Sequence, residues 1–304
     1  MRFIFSFMLL LAFAGFNFSC QHKLMPVRTS LNQESKDIEG KPMLLGTCTR
    51  ERLNQNPFGT WFNLNYSNYT VDTSVAEKLK SSLVNKRFEI FMGTWCGDSR
   101  REVPRMFKIL DYCGVLASQV KLIMLSDLDS SYKQSPGHEE QGLDIHRVPD
   151  LIVLSNEKEI GRIVESPVVS LEKDLSAIIN GEHYIPNYHA VLFLSNQFRK
   201  KKAVPSKKDL SSLSIQIKPM VFSPAELNTY GYVLLAAHKT LHSKLVFELN
   251  ILLYPENANT YLSLANFYIR TGNEDLAKEN LNKAISLQPD NEAIKKKIAL
   301  LNQQ

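Results

Sequence analysis

A chain of 304 residues with 44% apolar and 22% charged side chains has the composition of an ordinary globular protein of about two domains, long enough to bury a sizeable core. The formal net charge of +5 is too small for this length to imply a nucleic-acid partner. Much of the excess lies in one run, Arg199, Lys200, Lys201, Lys202, Lys207 and Lys208, without interleaved aromatic rings that would stack on bases. That run reads as a solvated linker or helix face, with contact to anionic lipid as the alternative.

In chain order, Arg2 precedes an almost unbroken apolar run from Phe3 to Phe16. The run is shorter than the roughly 20 residues that span a bilayer and has the shape of an export signal, assigned to residues 1–19. It ends Asn17-Phe18-Ser19-Cys20, which resembles the cleavage and lipidation site of bacterial lipoproteins, although Asn17 and Phe18 depart from the usual residues. Lipidation at Cys20 would anchor the chain to a membrane of the cell envelope; ordinary cleavage would leave it soluble in the periplasm. Without Cys20, the cysteines Cys48, Cys96 and Cys113 remain, an odd number, so at least one thiol is free or pairs with another molecule. No cysteine–histidine set has zinc spacing, so no metal or cofactor is expected. His138 and His146 read as surface residues.

Residues 20–72 read as an irregular N-terminal extension whose aromatic group, Phe58, Trp61, Phe62, Tyr66 and Tyr69, packs it onto the domain that follows. A regular pattern begins at Thr73. A helix is expected to about Leu83, a strand at Phe88–Gly93, a helix from Gly97 to Tyr112 and a strand at Val120–Leu125. Two strands follow, Leu151–Leu154 and Glu159–Val164, then a helix capped by Ser170. This order suits an α/β domain at 73–180, with a mixed central sheet and helices on both faces.

Met92-Gly93-Thr94-Trp95-Cys96-Gly97-Asp98-Ser99 falls where a strand ends and a helix begins. Pro104 lies inside that helix, and Val148-Pro149 precedes the strand pair. Together these resemble the thioredoxin fold, in which a Trp-Cys-Gly-x-Cys motif opens a kinked helix and a cis-proline faces the cysteine. The longer stretch from Gly93 to Pro104 is similar to a subgroup of bacterial envelope thioredoxin-like proteins with serine in the second cysteine position. The resemblance implies a site of Cys96, Ser99, Trp95 and Pro149, with Val148, Gly97 and Asp98 contacting a protein substrate, Val148 by strand addition.

Independently of the resemblance, a cysteine at a helix N-terminus meets unpaired N–H groups and the positive end of the helix dipole, which favour the nucleophilic thiolate. Arg100 and Arg101 would add to this if either faced the sulfur, and Asp98 opposes it. Two features depart from a redox-active thioredoxin. Ser99 cannot resolve a mixed disulfide and is left to donate a hydrogen bond to the Cys96 sulfur. Ile90 occupies the position of the family's buried carboxylate, with Glu89 on the opposite face. Cys113, 17 residues beyond Cys96, would lie about 25 Å away along a continuous helix, too far for a disulfide. Cys48 stays open as an internal partner. Arg147 and Asp150 flank the Val148-Pro149 pair and read as residues that tune specificity.

Residues 181–222 read as a linker. From Ala258 to Asn291 the positions Tyr261, Leu264, Ala265, Tyr268, Gly272, Ala277, Leu281, Ala284 and Pro289 resemble a tetratricopeptide repeat. A weaker copy 34 residues earlier has Ser243 and Asn250 where alanine is usual, and Glu292–Leu301 reads as a capping helix, completing an all-α segment at 223–304. Two repeats fall short of a free-standing array, so they must pack on the α/β domain, on 181–222 or on a second subunit. They form either a groove for a protein partner or a structural appendage. Two function classes follow. In one, an exported monothiol protein exchanges or isomerises disulfides of envelope proteins through Cys96. In the other, the same chain is a non-catalytic module that recruits envelope partners.

Overall fold

Residues 30–200 and 206–303 are described by the structure, a computed structural model. The expected leader, Cys20, Lys201 and Lys202 lie outside them. Six strands, β1 (Gln33–Lys36), β2 (Pro42–Cys48), β3 (Lys86–Met92), β4 (Val120–Met124), β5 (Asp150–Ser155) and β6 (Lys158–Val164), form one mixed sheet in the order β1-β2-β4-β3-β5-β6. β3 and β4 pair in parallel, joined by a crossover that contains a 16-residue helix, and every other neighbouring pair is antiparallel.

Alternation along β3 sends Phe88 and Ile90 to one face and Phe91 to the other. The first face is covered by helices α2 (Gly59–Asn68), α3 (Thr73–Leu79), α4 (Gly97–Tyr112) and α5 (Leu171–Asn180), with the short α1 (Arg50–Leu53) at its margin. Large apolar side chains such as Phe62, Phe88 and Leu79 are fully buried there, each worth about 1.5–3 kcal/mol relative to exposure. The second face carries a smaller cluster of Phe91, Ile123, Leu125, Ile145, Val148 and Ile152. It is closed by the long connection from Leu125 to Pro149, on which the C-terminal helices rest. Helices therefore stand over both sides, directly on one and across that connection on the other.

The expected helices and strands between Thr73 and Asn180 are all present, and Ser170 caps α5 by accepting from the Lys173 N–H. At the start of α3 the cap is Asp72, whose carboxylate accepts from the Ser74 N–H. The N-terminal extension is not irregular. Its described part supplies β1, β2, α1 and α2, and β2 extends the sheet by pairing with β4. The aromatic group does pack inward: Phe62 and Phe107 of α4 lie 6.0 Å apart at their ring centroids.

Residues 181–222 are not a linker either. They form α6 (His189–Lys200) and α7 (Lys207–Ile217), which share an apolar core with α8 (Pro224–Ala236) and α9 (Thr240–Leu253). A second core joins α8 and α9 to α10 (Ala258–Arg270), α11 (Glu274–Leu287) and α12 (Glu292–Leu301). Gly231 permits the close approach of α8 and α9, because a Cβ there would sit 2.5 Å from the Phe247 ring. The weak first repeat is explained by its two polar substitutions. Ser243 is fully buried and donates to Gly231 O at 2.8 Å, and Asn250 donates to Pro224 O and Asn228 Oδ1, both at 2.8 Å. The fold thus supplies acceptors to both buried donors, while Asn250 Oδ1 is buried without a partner among the described residues.

The two repeats pack on the α/β domain as well as on α6 and α7. Ser195 and Arg199 of α6 donate to Asp144 at 2.5 and 2.7 Å, Arg147 donates to Ala225 O at 3.2 Å, and Arg270 donates to Asp129 O at 2.6 Å. Arg199, expected in a solvated run, is thus part of the domain contact. Among the described residues no helix is long and apolar enough to cross a membrane.

Candidate functional site around Cys96

β3 ends at Met92, and the chain turns through Gly93, Thr94 and Trp95 before α4 begins. Three contacts fix this turn. Cys96 N–H donates to Gly93 O at 3.0 Å, the buried Thr94 hydroxyl accepts the Leu44 N–H of β2 at 3.2 Å, and Trp95 Nε1 donates to Leu125 O at 2.8 Å. The first glycine of the motif is required by packing, since a Cβ on Gly93 would lie 2.4 Å from the indole. Trp95 stands beside Tyr132, ring centroids 6.5 Å apart.

Cys96 is the N-cap residue of α4, in extended conformation, and no side chain caps the first turn. Its sulfur therefore sits at the helix end where N–H groups lack partners and the dipole is positive, worth typically 0.3–1 kcal/mol to an anion. The thiol donates to Val148 O at 3.3 Å, so Cys96 faces the Val148-Pro149 pair, whose peptide bond is cis. The charged neighbours are disposed differently from expectation. Arg100 does not turn to the sulfur; its Nε donates to Thr94 O at 2.6 Å. Arg101 pairs with Asp98 at 2.8 Å and with the buried Glu102 at 2.6 Å, so the adverse Asp98 charge is offset within the first turn.

Ser99 is fully buried and accepts the Gly93 N–H at 3.3 Å. Its role is to brace the turn rather than to donate to the Cys96 sulfur. Gly97 is exposed beside the cysteine. Val148 is only 2% exposed and Pro149 is buried, contrary to a role for Val148 as an open strand edge. The start of α8 lies next to them through the Arg147–Ala225 contact. Arg147 is itself occupied, pairing with Glu165 at 3.1 Å and lying 4.6 Å over the Tyr188 ring, whose hydroxyl donates to Glu165. Asp150 is not a surface residue. It is completely buried, paired with Arg162 at 3.1 Å, and burial pushes its carboxyl up to about 6.

The cysteines divide clearly. Cys48, Cys96 and Cys113 are all free, and only Cys96 is partly exposed. Cys113 is a core residue whose thiol donates to Ala76 O at 3.5 Å. Cys48 is buried on β2, and burial pushes its thiol up to about 12. It pairs across the ladder with Leu122, which pairs with Ile90. That places it two strand spacings, about 9.6 Å, from β3. A disulfide to Cys96 requires Cα atoms within about 7 Å, so Cys48 is not its internal partner. Ile90 is buried in the core as expected, and Glu89 projects to the opposite face, 4.0 Å from Lys121.

Sequence reasoning missed the polar cluster behind Cys96. Lys133 is 4% exposed and donates to His146 O at 2.7 Å. Its backbone is left-handed, with φ +56°, which few non-glycine residues adopt. His146 is buried rather than exposed, between the Tyr188 and Tyr230 rings, and burial pushes it down to about 3, so it is neutral. His138 is exposed as expected. Glu226 of α8 is also buried, which pushes its carboxyl up to about 7. The segment Ser130-Ser131-Tyr132-Lys133-Gln134-Ser135-Pro136-Gly137 reads as a polar surface loop, and nothing in its pattern marks Lys133 as buried. No group of three or more His, Cys, Asp or Glu arranged to hold a metal occurs among the described residues.

Chemically, the arrangement offers one accessible thiol at a helix start with no second thiol in reach among the described residues. Comparison with curated proteins returns no match. The tetratricopeptide repeat family matches residues 258–291, which span α10, α11 and the turn into α12. Repeats of this kind generally mediate contacts between proteins.

Proposed function

We propose that the chain is a monothiol thioredoxin-like protein that attacks disulfides of exported proteins through Cys96, while its helical repeats hold a protein partner. The observation that carries this reading is the placement of Cys96: partly exposed, N-capping α4, its thiol 3.3 Å from Val148 O. The strand order β4-β3-β5-β6 with α4 between β3 and β4 supports the thioredoxin resemblance. The apolar run Phe3–Phe16 and Ser19-Cys20 support export and a lipid anchor in the cell envelope. In the reaction the Cys96 thiolate forms a bond to one sulfur of a polypeptide disulfide, and the other sulfur leaves with the electron pair. With no resolving thiol in reach among the described residues, release uses an outside thiol. The test is capture of mixed disulfides after acid quenching of cells: they should form with the unaltered chain and disappear with Cys96→Ala. Equal capture from both would refute the reading.

A second reading, a binding module without turnover, is favoured by one observation. Val148 and Pro149 are buried and the start of α8 stands beside them, which obstructs main-chain pairing with a substrate at Val148. A Cys96 that stays unreactive in the folded chain would decide for it.

A further inference from the structure

Ile90 is fully buried where the resemblance would place a carboxylate that exchanges a proton with the cysteine. A different ionisable group, Lys133, is buried against the same segment that receives the Cys96 thiol. Lys133 Nζ has a main-chain carbonyl, His146 O at 2.7 Å, as its hydrogen-bond acceptor. No carboxylate lies within ion-pair distance of it among the described residues, and the Tyr132 ring lies 5.3 Å away. The two carbonyls that receive Lys133 and Cys96, His146 O and Val148 O, belong to residues two apart on one segment. Burying an amine without a carboxylate is costly, and its left-handed backbone adds to that cost.

We propose that Lys133 is the proton-holding partner of Cys96, taking the place of the missing carboxylate. This rests on the reading of Cys96 as a nucleophile. The neutral amine takes the thiol proton, leaving a thiolate and an ammonium. The thiolate then bonds to one sulfur of a polypeptide disulfide, the S–S bond breaks, and the departing sulfur accepts the proton from the ammonium. One disulfide is consumed and one mixed disulfide is formed, so no further oxidant or reductant is needed.

The surroundings suit this exchange. Burial pushes Lys133 down to about 7, against an ordinary value near 10.5. Arg147 also disfavours its protonation, whereas a Cys96 thiolate and Glu165 favour it. Buried His146 is neutral, and Tyr132 remains protonated because burial raises it. Lys133 also lines a cavity of about 250 Å³ between the 133–145 segment and α8. His138, Glu140 and Asp144 line it from the connection, and His238 and Lys239 from beyond the end of α8.

The test is the rate of Cys96 alkylation by iodoacetamide in the full-length native chain, read by peptide mass spectrometry from pH 5 to 10. Lys133→Met should slow labelling at pH 7 about tenfold, the equivalent of one pKa unit, and move the midpoint up. Lys133→Arg, which keeps a charge but cannot take up the thiol proton, should give a single step whose midpoint lies below that of Lys133→Met. Superimposable profiles for the unaltered chain and Lys133→Met would overturn this inference while leaving a reactive Cys96 intact. No labelling of Cys96 in the unaltered chain would overturn the nucleophile itself. Should Lys133→Met fail to fold, thiolate absorbance at 240 nm decides, read as the difference between the unaltered chain and Cys96→Ala. Two coupled steps are expected, and a single step near 8.5 would overturn the proposal.

Discussion

Gly93 faces the indole of Trp95 so closely that a methyl group on its Cα would fall 2.4 Å from the ring. The ring is held in that place by its hydrogen bond to Leu125 O. Gly93→Ala should therefore push Trp95 off this acceptor and lower stability by about 1–3 kcal/mol, the usual range for overpacking. In a Trp61→Phe background, which leaves Trp95 as the sole tryptophan, its emission should shift to the red. Unchanged emission and an unchanged unfolding midpoint would show that the turn accommodates the methyl group.

Ser99 sits three residues after Cys96 and is buried under the same turn. Residues three apart at a helix start have Cα atoms about 5–6 Å apart, within disulfide reach. Ser99→Cys should therefore create an internal pair. Under mild oxidation the chain should lose two hydrogen atoms, and mixed disulfides at Cys96 should become short-lived because a second thiol can now resolve them. Losing the Gly93 N–H acceptor costs about 1 kcal/mol. Persistence of the mixed disulfide would mean that position 99 cannot reach the sulfur.

Glu226 links the repeats to the site through its position near Arg147, and its pKa is raised from 4.5 to about 7 by burial. The folded state thus holds a proton that the unfolded state has lost between these values. The stabilising effect of this group is fully present below pH 4.5 and is lost as pH rises to about 7. Glu226→Gln should be nearly neutral at pH 4 and stabilising at pH 8, by on the order of 1–3 kcal/mol. Urea unfolding at the two pH values checks this, and a pH-independent difference would contradict it.

Asn250 replaces the alanine usual in the repeat and donates two hydrogen bonds inside the α8–α9 pair. Restoring the common residue should therefore destabilise. Asn250→Ala is expected to cost about 1–2 kcal/mol through the unpaired Asn228 carbonyl and the lost volume. Equal or greater stability would show that those bonds contribute nothing net.

Between Thr73 and Asn180 the chain writes its fold in strong local signals: apolar runs of strand length, a Gly-to-Tyr helix with amphipathic spacing, and Ser170 as a cap. The elements outside that span are carried by weaker signals. β1 has a polar sequence, Gln-Glu-Ser-Lys, and pairs only because β2 offers an edge. α6 and α7 flank a basic run that masks their apolar stripe, which becomes visible only once α8 and α9 supply the other half of the core. At the site, Cys96, Trp95 and Pro149 are legible because their chemistry depends on local motif. Lys133, His146 and Asp150 are not, because their burial is imposed by the long connection and the helices that rest on it. Tertiary packing also reassigns Val148, from a surface edge to a core residue.

Reaction of the native full-length chain with 5,5′-dithiobis(2-nitrobenzoate), followed by intact-mass and peptide analysis, tests the central claim most directly. Attack by Cys96 should release one nitrothiobenzoate and leave a mixed disulfide on Cys96, with Cys48 and Cys113 modified only after unfolding and any adduct at Cys20 distinguished by its own peptide. Absence of the Cys96 adduct in the folded chain, or modification of Cys48, Cys96 and Cys113 at one rate, would contradict the account.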